Sequence, residues 1–241
     1  GRSDRPPLRY SAALYEDFVA DFLGRYAGAS PAVLASGLTA SYAVRAAGEP
    51  GTDVSRLLLV CPTTRGGPSP PRGAIQELVR APLVGEFLFN LLVSKPSIRY
   101  FNADHGYYDL DRAGEEWMEY EWRTAHQPGA RFAPAGFISG ALNADLDLGA
   151  ALADREVPTT LLWGREADVT PLSTGRDVAE AADARLVVFD DAKLLPHVEF
   201  PAAFLDAVRA AMRDGDADAD GGFEFDAPAA HGVTTERESG D

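Results

Sequence analysis

Residues 31–47 leave almost no room between an apolar strand and the helix after it. Pro31-Ala-Val-Leu-Ala-Ser36 reads as a short buried strand, and the helical stretch Leu38–Ala47 follows after a single residue, Gly37. Three further apolar runs have the same strand character: Arg56-Leu-Leu-Leu-Val-Cys-Pro62, Val157-Pro-Thr-Thr-Leu-Leu-Trp163 and Ala184-Arg-Leu-Val-Val-Phe-Asp190. Helical periods accompany them. Residues 12–26 carry Leu14, Phe18, Phe22 and Leu23 between acids with Ser11 as a cap, and further periods run over 172–182 and 201–213. Continuous apolar strands alternating with helices predict an α/β fold whose parallel sheet is covered on both faces.

Four stretches follow from this pattern: core residues 1–64, an insertion over 65–157, core again over 158–213, and a tail over 214–241. The insertion has helical character and no convincing strand. It concentrates aromatics, among them Phe87, Phe89, Tyr100, Phe101, Tyr107, Tyr108, Trp117, Tyr120 and Trp122. These either form the insertion's own core or line a pocket. Residues 99–109 mix polar and aromatic groups and are the first place to look for ligand contacts. Gly136 and Gly140 bracket Phe137-Ile-Ser139 as hinge candidates or ordinary loop glycines. The tail is acidic with few large apolar residues, so disorder is expected there.

Charge narrows the function. Asp and Glu total 37 against 22 Lys and Arg, a formal net charge of −15, and Lys95 and Lys193 are the only lysines. Such a surface repels nucleic acid and anionic lipid, so neither is an expected partner. Asp-rich, Lys-poor composition is that of proteins from salt-loaded cytoplasms, and a halophilic cytoplasmic protein is the expectation. Cys61 is the single cysteine, which excludes an intrachain disulfide. No apolar run reaches the roughly 18–20 residues of a membrane span. Without an initial Met, a removed leader or a preceding domain stays open.

Four short segments then share an order. Ala35-Ser36-Gly37-Leu38-Thr39-Ala40 carries the strand-to-helix turn. Gly1-Arg-Ser-Asp-Arg-Pro6 precedes it, Leu162-Trp163-Gly164-Arg165 through Pro171 follows, and Pro196-His197-Val198-Glu199-Phe200-Pro201 closes the series. Together they resemble the α/β-hydrolase superfamily: its nucleophile elbow, the loop after its fourth strand, its acid-bearing W-G-x-x-D segment and the segment after its catalytic histidine. The resemblance implies an α/β-hydrolase fold with a helical cap inserted after the sixth strand. It also implies that the first four strands are missing, which leaves the elbow strand at an open sheet edge.

The same alignment implies an emptied catalytic triad. Gly37 falls on the nucleophile position, Ala167 on the acid and Leu194 on the histidine, with Leu38 supplying the oxyanion-type amide. Fallback candidates are Ser36 or, within the helix, Thr39 as nucleophile, Asp168 as acid and His197 as base. The resemblance calls for no cofactor, and His105, His126 and His231 have no metal-ligand spacing. Three readings follow: a non-hydrolytic homologue binding a small apolar ligand or a partner protein, an active ester or amide hydrolase using Ser36, Asp168 and His197, and a decayed product or fragment.

Overall fold

The computed structural model describes residues 3–63, 72–155, 157–213 and 233–236. Helix α1 (Ala12–Tyr26) starts at Ser11, whose hydroxyl accepts the Leu14 N–H at 3.3 Å. Strand β1 (Ala32–Ser36) runs through Gly37 into α2 (Leu38–Ala46), and β2 is Arg56–Val60. Among the described residues only helices and turns lie between β2 and β3: α3 (Arg72–Arg80), α4 (Val84–Leu92), α5 (Lys95–Phe101), a π-helical turn Asn102–Gly106, a 3-10 turn Leu110–Arg112, α6 (Gly114–Ala125), α7 (Phe132–Ile138) and α8 (Leu148–Ala153). The core resumes with β3 (Thr159–Gly164), α9 (Leu172–Ala182), β4 (Arg185–Phe189), α10 (Pro196–Glu199) and α11 (Pro201–Arg213).

The sheet order follows the chain, β1-β2-β3-β4-β5, with the first four strands parallel. Because strand side chains alternate, each apolar run feeds two cores at once. Leu57, Leu59, Leu161, Trp163, Leu186 and Val188 pack on the side of α2, α8 and α9. Leu58, Val60, Leu162, Val187 and Phe189 pack against Phe204, Ala207 and Ala211 of α11 on the other. Among the described residues β1 pairs with β2 alone, so its outer edge is open, and Leu34 on it is 51% exposed.

Two strands stop short of their apolar runs. β2 ends at Val60 because Cys61 takes a φ of 39°, outside the extended region. β3 begins after Pro158, which has no N–H for the ladder. The tail departs from the expected disorder over 214–241. Its residues Val233–Glu236 form β5, antiparallel to β4, with Val233 opposite Phe189. Short β-branched runs gain a partner wherever a sheet edge offers unpaired backbone groups. The rest of the tail lies outside the described residues. Gly136 is no hinge: it sits inside α7, where an added Cβ would lie 2.9 Å from the Tyr10 carbonyl oxygen.

Candidate functional site

The C-terminal ends of β1 to β4 carry every position singled out by the motifs, as ligand sites of open α/β sheets do. Gly37 stands between β1 and α2 at φ 57°, ψ −126°. That backbone region is nearly closed to residues with a Cβ and open to glycine. The Gly37 N–H donates to the Val60 carbonyl at 3.0 Å, and the Gly37 carbonyl accepts the Thr63 N–H at 3.2 Å, which ties the turn to the end of β2. Among the described residues a Cβ added at Gly37 would meet nothing within 4 Å. Leu38 is the first residue of α2, and its N–H belongs to the first turn, which has no intrahelical acceptor. Ser36 is the last residue of β1, opposite Val60, and Thr39 lies exposed on α2.

The loop after β3 is held from within. The Trp163 indole N–H donates to the Thr170 carbonyl at 2.8 Å, and the ring is fully buried beneath Gly175 of α9. Ala167 is buried in that core. Asp168 turns outward: one carboxylate oxygen accepts the Val169 N–H at 2.8 Å, and the other lies 3.5 Å from His105 Nδ1. It does not cap α9, which starts at Pro171 without a side-chain acceptor. His105 comes from the π-helical turn of the insertion, and its Nε2 lies 3.3 Å from the Asp104 carboxylate.

The segment after β4 is a clamp. Lys193 Nζ donates to the Ala103 and Asp104 carbonyls at 3.0 and 2.5 Å. Leu194 packs into the main core. The fully buried Glu199 carboxylate accepts three backbone N–H groups: Lys193 at 2.9 Å on one oxygen, Tyr108 at 2.9 Å and Asp109 at 3.1 Å on the other. Arg112 adds an ion pair to Glu199 at 3.8 Å and lies over the Phe200 ring at 4.3 Å. Residues 102–112 are thereby fastened to the segment that follows β4.

His197 faces elsewhere. Its ring packs 5.6 Å from that of Phe204 on α11, and burial pulls its pKa below the usual 6.5. Among the described residues no contact joins Ser36, Asp168 and His197, and the imidazole beside Asp168 is that of His105. The sign of the pH effect follows. The unfolded chain binds a proton at His197 more readily, so this residue costs stability as pH falls below about 6.5 and nothing above it. His197→Gln should gain on the unsubstituted protein between pH 7.5 and pH 5 in urea melts. An unchanged gap between the two would refute the burial account. Cys61 is inert by the same physics: its buried thiol is pushed up to about 12.

His105, Lys193 and Arg112 were not legible as site residues, because their partners lie 63 to 90 residues away and no local spacing marks them. Glu199 was visible only as a motif position. A groove of about 560 Å³ between α1 and the 49–52 turn lies at the end of α2 opposite Gly37. It is lined by Glu16, Asp17, Asp21 and Glu49 with Arg25 and Arg45, together with Ala20, Ala46 and Pro50, a surface of mixed polarity.

A parallel sheet with an elbow at the end of β1, a helical insertion after β2 and a clamped loop after β4 defines the α/β-hydrolase class of architecture. The family model described as alpha/beta hydrolase family matches residues 1–207, and the chain belongs to that family. No curated protein matches the sequence. Among solved structures, the chain is similar to a meta-cleavage product hydrolase from Pseudomonas fluorescens IP01, at 20% identity and TM-score 0.67 over 89% of this chain and 76% of that one. It is similar to 2-hydroxy-6-oxo-6-phenylhexa-2,4-dienoate hydrolase from Rhodococcus sp. strain RHA1, at 15% identity and TM-score 0.68 over 88% and 76%. A bromoperoxidase from Bacillus anthracis matches at 15% identity and TM-score 0.66 over 89% and 78%.

Proposed function

We propose that this protein is a non-hydrolytic member of its family that holds a small apolar molecule beneath the helical insertion, which acts as a cap. One observation carries the reading: glycine occupies the strand-to-helix turn where the family presents its nucleophile, in the backbone conformation only glycine takes easily. Glycine has no atom with which to attack. Two more positions point the same way. Ala167 is packed into the core where an acid belongs, and Leu194 is packed where a histidine belongs. Loss of one triad member costs several orders of magnitude in rate, so loss of three leaves no ordinary serine hydrolysis.

One similar structure is that of a phenylhexadienoate hydrolase, which favours an aryl-bearing ligand here. The chain's own net charge of −15 favours a neutral one over an anion. Hydrolysis by Ser36, Asp168 and His197 has less support, since His197 packs under α11 and Asp168 pairs with His105.

Mass spectrometry tests both halves. Intact protein folded in molar salt and treated with a fluorophosphonate should gain no adduct, whereas native spectra of untreated protein should show a co-purified small mass. An adduct on Ser36 would overturn the non-hydrolytic reading. A consistently empty protein would overturn the ligand.

A further inference from the structure

The α3–α4–α5 face of the insertion shows a surface that a lone soluble chain does not keep without reason. Leu83 is 82% exposed, Phe87 68% and Leu91 61%, and Leu78, Val84, Leu88, Tyr100 and Phe101 stand exposed around them. Contiguous apolar patches beyond a few hundred Å² mark interaction sites. Leu83 adds a second observation. Its backbone sits at φ 60°, ψ −64°, a region that strains a bulky side chain and recurs at ligand clamps and switch regions. The hairpin that presents it is close-packed: a Cβ on Gly85 would lie 2.3 Å from the Val79 carbonyl oxygen. A strained, projecting leucine on a rigid hairpin has the character of an interface anchor.

We infer that this face joins two copies of the chain about a twofold axis. Charge selects that partner. The chain carries a net −15, so two copies repel wherever their acidic surfaces meet. Residues 73–101 are the exception, with Arg80, Lys95 and Arg99 against Glu77 and Glu86. Three positive against two negative side chains leave this stretch near neutral, with Lys95 paired to Glu119 at 2.6 Å and Glu86 facing Arg131 at 3.9 Å. Size is compatible: eight large apolar side chains stand exposed on this face, against the roughly 800 Å² each partner contributes to a standard interface. A self-complementary patch gives a closed dimer. A membrane partner fits less well, because α4 is only nine residues long and has no basic residue along its polar positions.

Analytical ultracentrifugation of the whole chain in molar salt tests the dimer, with Leu83→Asn and Leu91→Gln compared after circular dichroism shows that each folds. Asparagine is no bulkier than leucine at this backbone position, so the first variant removes the apolar anchor while circular dichroism reports on the fold. Expected is a dimer at micromolar concentration whose dissociation constant rises at least tenfold in each variant. Three results would overturn the inference: a monomer at 100 μM, a dimer indifferent to both substitutions, or a monomer that co-sediments with phosphatidylcholine vesicles.

Discussion

Glu199→Ala will unfasten the helical insertion from the core and remove about 3–5 kcal/mol of stability. The carboxylate is completely buried and accepts the N–H groups of Lys193, Tyr108 and Asp109, with Arg112 at 3.8 Å. A hydrogen bond to a charged group contributes about 1.5–3 kcal/mol, and a buried donor stripped of its acceptor costs about as much again until water reaches it. Two of the three donors belong to the insertion and the third to the loop after β4, so the loss falls on the junction between them. Urea melts give the total. Amide exchange locates it: Tyr108 and Asp109 should exchange far faster, while Leu161 and Val187 in the sheet should fall only with global stability. Glu199→Gln should cost less, because its single oxygen still accepts the Tyr108 and Asp109 pair while its amide opposes the Lys193 N–H. A change under 1 kcal/mol in the alanine variant would mean that the clamp holds nothing.

The clamp also explains what kind of information the motifs carried. Trp163-Gly164 and Glu199-Phe200-Pro201 make the family resemblance readable, and each is needed for packing or hydrogen bonding whether or not a reaction takes place. Trp163 fills the core under α9, and Glu199 ties the insertion down. The resemblance alone assigns Gly37, Ala167 and Leu194 to the family's reacting positions, and no packing or hydrogen-bonding motif marks them as such. Fold could thus be read from the sequence while activity could not.

Periodicity placed the core elements well. The helices over 172–182 and 201–213 match α9 and α11 residue for residue, since Pro171 and Pro201 mark their starts and apolar residues recur every three or four positions. It failed where sign rather than period matters. The insertion's aromatics were expected inside its core or around a pocket, yet Phe89 and Tyr107 are buried while Phe87 and Tyr100 face outward on α4 and α5. A run such as Val84-Gly-Glu-Phe-Leu-Phe-Asn-Leu-Leu92 is apolar on nearly every side, so its pattern does not say which face is covered. β5 escaped for another reason. Its four residues, Val-Thr-Thr-Glu, are too few to stand out from an acidic tail, and their partner strand is more than forty residues away.

Gly164→Ala is the substitution that separates scaffold from chemistry most sharply, and it should be the most damaging single methyl group in the chain. A Cβ there would lie 1.9 Å from the Lys193 carbonyl oxygen and 2.5 Å from that of Ala192, both backbone atoms of the loop after β4. Neither can swing aside like a side chain. Relief requires β3 to part from that loop, which breaks the Glu166 N–H to Ala192 carbonyl bond at 2.9 Å and disturbs the Gly164 N–H to Cys61 Sγ contact at 3.5 Å. Overpacking of a close-packed interior costs about 1–3 kcal/mol when side chains can adjust, and more where backbone must move. The expected loss is about 4 kcal/mol or more, a fall in melting temperature of about 8–16 °C for a chain of this size. Gly37→Ala makes the paired comparison. Among the described residues its Cβ meets nothing within 4 Å, so the cost is the backbone strain alone, about 1–3 kcal/mol, and the fold should survive intact. The two glycines therefore differ in kind: one is a contact the sheet cannot do without, the other a turn with open space beside it among the described residues. If Gly37→Ala proves the more destabilising of the two, the turn is closed by something packed above it, and the alignment that puts the family's nucleophile position at Gly37 is wrong.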